Sequence, residues 1–317
     1  MGRHGMRWER SVAVVTGGSK GIGRAIAEQA VARGARVGLV ARHREDLDAT
    51  LHALGGSRSG AVAAADVADR RQLEAALAAL AGALGPVDIL VNNAGLGAAG
   101  TVTQVPVEAF ERVMAINYLG TVYATASVLP GMLERGRGHI VNVASVAGRF
   151  AAPGEAAYSA TKFAVVGYSQ SLALELHGTG VGVSLIDPGP VDTGFFDTRG
   201  ADYQRHWPRK VPASRVAGAV IDAVERDRFE VFVPPWYRAV GVVQAAVSGL
   251  LRMVPPSVFG ITPSEADVAE ALAGAAGPGA GSTVPDENVR YGGGDTDNLG
   301  QPDGERHADP DQRGGPR

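Results

Sequence analysis

The chain has 317 residues, of which 45% are hydrophobic and 20% are charged, and its formal net charge is −3. This composition is typical of a globular protein with a sizeable core, and the slightly acidic balance argues against nucleic-acid binding as its main role. The absence of cysteine excludes disulfides and thiolate metal sites, and the seven histidines are not spaced as metal ligands. No apolar signal-peptide core follows the basic first ten residues, so we expect a cytoplasmic protein.

A glycine-rich turn follows the first predicted strand. The apolar run 11–15 leads into Thr16-Gly17-Gly18-Ser19-Lys20-Gly21-Ile22-Gly23, and a helical pattern over 24–33 comes next. A turn of this kind between a strand and a helix lets the backbone approach a pyrophosphate at the helix N-terminus. Its placement, more than the glycines themselves, predicts a dinucleotide site.

The second predicted strand, 37–41, ends without the acidic residue that many dinucleotide folds use to bind the adenosine ribose. Arg42 stands at that place instead. Together with Lys20 it can bind a 2′-phosphate through charge-assisted hydrogen bonds. The alternative is that Arg42 is a solvated residue at the start of a helix. The pattern favours NADP(H) over NAD(H).

Helices and strands alternate along the chain to about residue 235. Further helices are predicted over 44–54, 69–84, 107–135 and 214–226 and around Tyr158, and further strands over 61–65, 87–91, 139–143, 182–186 and 230–233. Such alternation, with nearly continuous apolar strands, indicates a parallel sheet covered by helices on both faces. Ligands bind to such sheets at the carboxyl ends of the strands. Residues that follow strand ends, and so converge on that edge, are Gly21, Asp66, Asn93, Ser145 and Pro188.

The stretch 142–162 carries a possible proton-transfer site. Tyr158 and Lys162 are four residues apart, so on a helix they lie on one face. A nearby ammonium lowers the pKa of a phenol, which is ordinarily about 10. Ser145, at the end of the preceding strand, could donate to a carbonyl oxygen, so the three residues suit a carbonyl/alcohol couple. Such a pair is common, but only three of the 30 basic residues are lysines, and this favours a specific role for Lys162.

Together these residues resemble the short-chain dehydrogenase/reductase family. The matching motifs come in the family's order over about residues 10–235: Thr16-Gly17-x-x-x-Gly21-x-Gly23, Asp66-Val67, Asn92-Asn93-Ala94-Gly95, Asn117, Ser145, Tyr158-x-x-x-Lys162 and Pro188-Gly189-x-Val191-x-Thr193. The resemblance implies one α/β catalytic domain over 11–235, with a Rossmann-type doubly wound parallel sheet of about seven strands. It implies an NAD(P)(H)-dependent oxidoreductase of the NADP(H)-preferring type.

The resemblance also implies roles for four catalytic residues. Tyr158 would be the acid/base, and Ser145 would polarise the carbonyl. Lys162 would hold the nicotinamide ribose and lower the pKa of Tyr158, and Asn117 would position a water in a proton relay. A mid-helix asparagine such as Asn117 has an alternative role in packing or capping.

The cofactor contacts follow from the same resemblance. It places Asp66 and Val67 at the adenine, Asn93 at the ribose and Thr193 at the carboxamide. No metal is expected. The full set of expected cofactor residues is Gly17, Ser19, Lys20, Gly21, Ile22, Gly23, Arg42, Asp66, Val67, Asn93, Ala94, Gly95, Tyr158, Lys162, Pro188, Gly189, Val191 and Thr193.

The segments outside the family core are less informative. Residues 1–10 are interpreted as an N-terminal extension and 236–273 as an apolar helical extension, with a short helix over 261–273. On a helical wheel, 236–254 has a wide apolar face. It could cover the substrate pocket, pack against a second subunit or lie on a membrane surface, which would make the protein membrane-associated. The Gly-, Pro- and Asp-rich tail 274–317 is predicted to be disordered.

Residues 189–210 are typical of a mobile lid over a site. The apolar residues Phe150, Phe195, Phe196 and Trp207 suggest a lipophilic small-molecule carbonyl or alcohol substrate. The resemblance also favours a homo-oligomer. Two other functions stay open: a non-catalytic NADP(H)-binding sensor and a membrane-surface protein on the same fold.

Overall fold

The computed structural model describes residues 5–195 and 208–239, and within them the chain forms a parallel sheet flanked by helices. The strands are β1 Val12–Thr16, β2 Arg36–Ala41, β3 Gly60–Ala64, β4 Ile89–Asn92, β5 Gly138–Val143, β6 Val181–Pro188, β7 Val191–Asp192, β8 Val211–Pro212 and β9 Glu230–Val233. The helices are α1 Gly21–Ala32, α2 Arg44–Ala53, α3 Arg70–Leu84, α4 Val107–Met114, α5 Gly120–Glu134, α6 Ala156–Glu175 and α7 Ala213–Glu225.

Seven strands form the main sheet in the order β3-β2-β1-β4-β5-β6-β9, and every neighbouring pair is parallel. This confirms the predicted α/β doubly wound fold. The strand order reverses between β1 and β4. At such a point the loops that leave neighbouring strands diverge to opposite faces, which opens a crevice at the carboxyl edge.

The core lies on both faces of the sheet, because side chains alternate along each strand. Val15 of β1 packs into a cluster with Ile26 and Val220, whereas its neighbour Val14 packs into another with Leu80. Strands β1, β4, β5 and β6 are buried along their whole length. This explains their nearly continuous apolar sequences.

Some element ends differ from the sequence expectation. Helix α1 starts at Gly21 rather than at 24, so the last glycines of the turn form its first turn. Strand β4 starts at Ile89 rather than at 87. Strand β6 continues past 186 to Pro188, because Asp187 and Pro188 pair with Phe232 and Val233 of β9. Proline is tolerated at such a strand end.

The predicted continuous helix 107–135 is wrong in one respect: residues Ala115–Leu119 form a π-helical stretch between α4 and α5. Asn117, which is 1% exposed, lies inside it. The stretch Val107–Glu134 is also long and apolar enough to suit a membrane span by length and composition. Its side chains Ile116, Ala124 and Met132 pack into the core, as expected for a core helix.

Residues 5–10 pack against α7. The Trp8 side chain is 1% exposed and belongs to the core, and its Nε1 donates to the carbonyl of Ile221 at 3.4 Å. Met6 N donates to the carbonyl of Val224 at 3.0 Å. The described part of the predicted N-terminal extension therefore contributes to the core.

The predicted lid is described only at its two ends. Strands β7 and β8 pair in parallel as a separate two-stranded sheet, which the sequence did not indicate. Residues Phe196 and Trp207, most of the apolar extension, the short helix 261–273 and the tail 274–317 lie outside the described residues.

Candidate active site

Lys162 connects the carboxyl end of β5 to the Tyr158 ring. The lysine side chain is 4% exposed, and its Nζ donates to the carbonyl of Val143 at 3.0 Å. The same Nζ lies 5.6 Å from the centroid of the half-buried Tyr158 ring. The i, i+4 spacing on α6 therefore brings the ammonium beneath the phenol, as the sequence predicted.

Ser145 lies two residues beyond Val143. Its Oγ accepts from the amide of Ala147 at 3.1 Å and donates to the carbonyl of Pro188 at 3.4 Å. The second hydrogen bond is long, so the hydroxyl proton can turn to a better acceptor at little cost. The structure thus places Ser145 and the Lys162 ammonium at the end of one strand.

The Asn117 side chain holds the loop after β4. Its Nδ2 donates to the carbonyl of Leu96 and to Oγ1 of Thr161, each at 2.9 Å, and its Oδ1 accepts from Leu96 N at 2.7 Å. Gly95 lies beside it: a Cβ there would be 3.4 Å from Asn117 Oδ1 and 3.7 Å from Lys162 Nζ. Asn117 therefore fixes the backbone at the position where the loop passes the ammonium.

The glycine turn is tied to the end of β4. Asn93 Nδ2 donates to the carbonyls of Thr16 and Gly17 at 3.1 and 3.3 Å. Thr16 Oγ1 accepts from the amides of Asn93 and Ala94 at 3.0 and 3.1 Å. These reciprocal bonds hold the two loops together across the point where the strand order reverses.

The turn leaves space that only glycine provides. Gly17 and Gly21 have φ of +65° and +54°, a conformation that glycine adopts readily. A Cβ at Gly23 would collide with the Gly17 carbonyl, and one at Gly21 would lie 3.1 Å from Cγ2 of Thr193. The start of α1 carries no side-chain cap and no acidic residue. This cradle of free backbone amides fits the pyrophosphate of a dinucleotide.

The two basic residues expected at a 2′-phosphate are both exposed. Lys20 Nζ forms an ion pair with Asp46 Oδ2 at 2.9 Å, and the lysine side chain is 74% exposed. Arg42 follows the last residue of β2. An exposed pair such as Lys20–Asp46 contributes little, so Lys20 can exchange Asp46 for a stronger anion.

The residues expected at the adenine follow β3. Asp66 Oδ2 pairs with Nη2 of Arg112 at 2.6 Å, and its Oδ1 accepts from the amide of Ala68 at 3.0 Å. Val67 is buried, and a Cβ at Gly120 would lie 3.0 Å from its carbonyl oxygen. The sequence did not predict the Arg112 partner, which holds the Asp66 carboxylate in one orientation.

The residues after β6 lie at the carboxyl edge of the sheet and contact the segment around β9. The amide of Gly189 donates to the carbonyl of Val233 at 2.8 Å, and Val191 is buried in the core. A Cβ at Gly189 would collide with the Tyr237 ring, which is 7% exposed. Tyr237 belongs to the segment beyond β9, and the sequence did not single it out.

Phe195 lies over the candidate acid/base. Its ring centroid is 5.5 Å from that of Tyr158, with the two planes tilted by 56°. Phe150, the other described aromatic residue of the predicted apolar set, is half-buried. The described end of the lid thus gives the tyrosine an apolar neighbour.

Two buried charges lie under the site. Burial lowers the pKa of Lys162 to about 8, although Asp187 opposes this. Burial raises the pKa of Asp187 to about 7, and Arg149 opposes this more strongly than Lys162 does. Arg149 binds Asp187 through Nε and Nη2, both at 3.3 Å, and also forms an ion pair with Glu230. The sequence did not single out the Asp187 carboxylate.

A second unpredicted feature is a buried amide network between β4 and β5. Asn92 Nδ2 donates to Oδ1 of Asn142 at 2.9 Å and to Oγ1 of Thr125 at 3.2 Å. Asn142 Nδ2 then donates to Oγ of Ser169 at 2.9 Å. The network joins the two central strands to α5 and α6. The polar residues at the ends of both apolar runs were the available signal.

Comparisons with known proteins agree with this arrangement. The family described as short chain dehydrogenase matches residues 11–204. The 2-dehydro-3-deoxy-L-rhamnonate dehydrogenase (NAD(+)) of Sphingomonas sp. (strain SKA58) is 38% identical over 211 residues, which are 66% of this chain and 84% of that protein.

Two solved structures are also similar. A short chain dehydrogenase/reductase from Burkholderia phymatum in complex with NAD has a TM-score of 0.72 and 28% identity, covering 82% of this chain and 99% of its own. An actinorhodin polyketide ketoreductase with NADPH has a TM-score of 0.65 and 34% identity, covering 70% of this chain and 94% of its own. One of these structures thus holds NAD and the other NADPH.

Proposed function

Because the chain belongs to the short chain dehydrogenase family, we propose that it transfers a hydride reversibly between a nicotinamide cofactor and a carbonyl or alcohol carbon. The observation that carries this proposal is the buried Lys162 ammonium, 5.6 Å from the Tyr158 ring and joined to the strand that leads to Ser145. The relative from Sphingomonas and both solved structures support a nicotinamide cofactor. The bound cofactor would supply or accept the hydride.

The protein's own residues would handle the proton and the oxygen. Tyr158 delivers a proton to the substrate oxygen during reduction and takes it back during oxidation. Ser145 turns its hydroxyl from the long bond with Pro188 toward that oxygen. The Lys162 ammonium favours the phenolate form of Tyr158, so that the phenol gives up its proton more readily.

Asn117 would contribute through the backbone around it. Its side-chain amide is occupied by Leu96 and Thr161, so this amide orders the loop beside Lys162 rather than holding a relay water directly. A relay water would therefore contact the backbone of the π-helical stretch. The interruption of the helix at Ala115–Leu119 supports this role, since such stretches frequently occur at functional sites.

The cofactor would be NADP(H) in preference to NAD(H). The support is the absence of an acid at the end of β2 and the presence of Arg42 and Lys20, both exposed. The relatives include both cofactor types, so the basic pair is what favours the phosphorylated one.

The substrate would be a small molecule with an apolar part near the reacting carbon. The tilted contact between Phe195 and Tyr158 supports this, because it puts an apolar ring beside the acid/base. A cytoplasmic location, a homo-oligomeric state and a role of 236–254 at a membrane surface remain predictions from the sequence.

The test replaces the Tyr158 hydroxyl. Tyr158→Phe should lower kcat at least about 100-fold on any carbonyl that the wild type reduces. The Kd for NADPH should change little. Activity would be followed by nicotinamide absorbance over a panel of ketones and aldehydes, and cofactor binding by fluorescence.

Tyr168→Phe is the matched control, because it removes a hydroxyl from the same helix ten residues further on. It should keep its activity. Full activity in Tyr158→Phe would contradict the assignment. Tight cofactor binding by the wild type, without turnover of any carbonyl or alcohol, would favour a sensor over an enzyme.

A further inference from the structure

Asp187 is a fully buried carboxylate at the edge of the candidate site. It is 0% exposed and is the second-last residue of strand β6, next to Pro188. Its Oδ2 accepts from Nε and Nη2 of Arg149, and its Oδ1 accepts no hydrogen bond from any described residue. Burying a charged carboxylate costs free energy, so its charge needs a partner.

The register of the sheet puts Asp187 level with the catalytic strand end. Ala144 N donates to the carbonyl of Ile186 at 2.8 Å, and Ser145 Oγ donates to the carbonyl of Pro188. The two bonds therefore connect Ala144 and Ser145 to the residues immediately before and after Asp187. The residue is therefore held at the same height as Ser145.

The side chain of Asp187 lies on the face covered by α6. Alternate strand residues share a face, so Asp187 lies on the same side as Leu185. Leu185 packs with Val165 and Val166 of α6. Lys162 is one turn before them on that helix, toward the carboxyl edge of the sheet. Asp187 and Lys162 therefore face each other between the sheet and the helix.

The charged groups around Asp187 come from three segments. Arg149 follows β5, Lys162 lies on α6, and Glu230 lies on β9, the other neighbour of β6. Arg149 and Lys162 favour the charged carboxylate, whereas Glu230 and burial disfavour it. Asp187 in turn is the group that opposes the loss of charge on Lys162.

We propose that Asp187 is a positioning residue for the reaction: its buried carboxylate, held by Arg149, keeps the Lys162 ammonium charged beneath Tyr158. The inference rests on the proposed function, since it gives Asp187 a role only through the Lys162–Tyr158 pair. It extends the site by two ion pairs, which join Asp187 to Arg149 and Arg149 to the partly exposed Glu230.

The number of lysines allows a direct test. The chain has only Lys20, Lys162 and Lys210, so protein grown with [13Cε]lysine should give three NMR signals. Single replacements by Met would assign them. The Lys162 signal would be titrated in cofactor-free protein, where the result does not depend on turnover. In the wild type we expect a midpoint of about 8.

Asp187→Asn keeps the shape of the side chain and removes its charge. The Lys162 midpoint should fall by on the order of one pH unit. Asp192→Asn makes the same chemical change at an exposed position five residues later, and it should leave the midpoint where it is. An unchanged Lys162 midpoint in folded Asp187→Asn would overturn the proposal.

A second variant covers the case in which Asp187→Asn does not fold. Arg149→Met removes the main group that keeps Asp187 charged, and the arginine side chain is 18% exposed. The Lys162 midpoint should again fall, and a midpoint equal to that of the wild type would overturn the proposal.

The pH profile of alcohol oxidation gives a further readout. With Lys162 neutral over a wider pH range, the Tyr158 phenolate loses stabilisation. The ascending limb of kcat/KM should therefore move to higher pH in Asp187→Asn, and an unmoved limb would count against the proposal. Failure of the proposed function would show differently, as full activity in Tyr158→Phe.

Discussion

The buried Lys162 side chain makes two contacts that matter for the proposed reaction. Its ammonium is nearly inaccessible, yet it donates to the carbonyl of Val143 and lies beneath the Tyr158 ring. An arginine would present a planar fork instead of a compact ammonium, and its charge could not be lost near neutral pH. The geometry of the pocket therefore explains why position 162 is a lysine in a chain with only three lysines among its 30 basic residues.

The proposed preference for NADP(H) can also be tested at single residues. Lys20→Met and Arg42→Met should each weaken NADPH binding about tenfold or more, because each would remove a proposed charge-assisted hydrogen bond to the 2′-phosphate. NADH binding should hardly change. Arg70→Met, which removes an exposed arginine at the start of α3, is the control. Equal losses for the two cofactors in titrations of each variant would contradict the assignment.

The elements themselves follow closely from the sequence pattern. Apolar runs and helical periodicity predicted every strand of the main sheet and its flanking helices, because burial on two faces demands nearly continuous apolar strands. The pattern failed where the backbone departs from regular geometry. The π-helical stretch around Asn117 has ordinary helical periodicity, so nothing in its sequence predicts the extra residue in the turn.

The candidate site likewise has features that the sequence predicts and features that it does not. Tyr158, Lys162 and the glycine turn could be predicted as site residues because their spacing is local. The Asn93–Thr16 bonds and the ion pairs of Arg149 with Asp187 and Glu230 could not be predicted, because they join residues far apart in sequence. Such contacts depend on sheet register, which periodicity does not give.

Two glycines allow the turn to be tested as an element. Gly23→Ala should abolish dinucleotide binding, because the new Cβ would collide with the Gly17 carbonyl and distort the turn. Gly82→Ala is the control: it lies in α3 with no atom within 4 Å of the new Cβ. That change should stabilise the protein by about 0.5–1 kcal/mol and leave binding intact. Calorimetric titration and thermal unfolding would measure both effects, and wild-type affinity in Gly23→Ala would refute this account of the turn.

At the scale of the whole molecule, the core is divided by the sheet into two large apolar clusters. Lys162 and Asp187 interrupt this pattern near the carboxyl edge, where both are almost completely buried. Their burial links the stability of the entire fold to pH, since both groups titrate freely when the chain unfolds.

The direction of that dependence follows from the two pKa values. Asp187 is raised from 3.8 to about 7, so its contribution to stability is present below about 4 and is lost as pH rises to about 7. Lys162 is lowered from 10.5 to about 8, so its contribution is present above about 10.5 and is lost as pH falls through about 8. The pair therefore predicts lowest stability between about pH 7 and pH 8.

Urea unfolding of the wild type and of Asp187→Asn between pH 5 and pH 7 would measure the contribution of Asp187 to the free energy of unfolding. The stability difference between wild type and variant should decrease as pH rises, because only the wild type loses the proton. Lys162→Met should likewise remove the increase in the free energy of unfolding above pH 8. A difference that is flat across both ranges would show that these groups are not buried as described.

The pairing of β1 with β4 has a consequence for synthesis on the ribosome. The glycine turn is complete at residue 23, but the Asn93 side chain that fixes it belongs to a segment made some seventy residues later. Until β4 emerges, β1 has one unpaired edge, and such edges pair readily with other chains. A nascent chain that ends before Ile89 therefore holds the residues of the glycine turn without the Asn93 side chain that fixes it. Dinucleotide binding by a growing chain would report that the two halves of the sheet have joined.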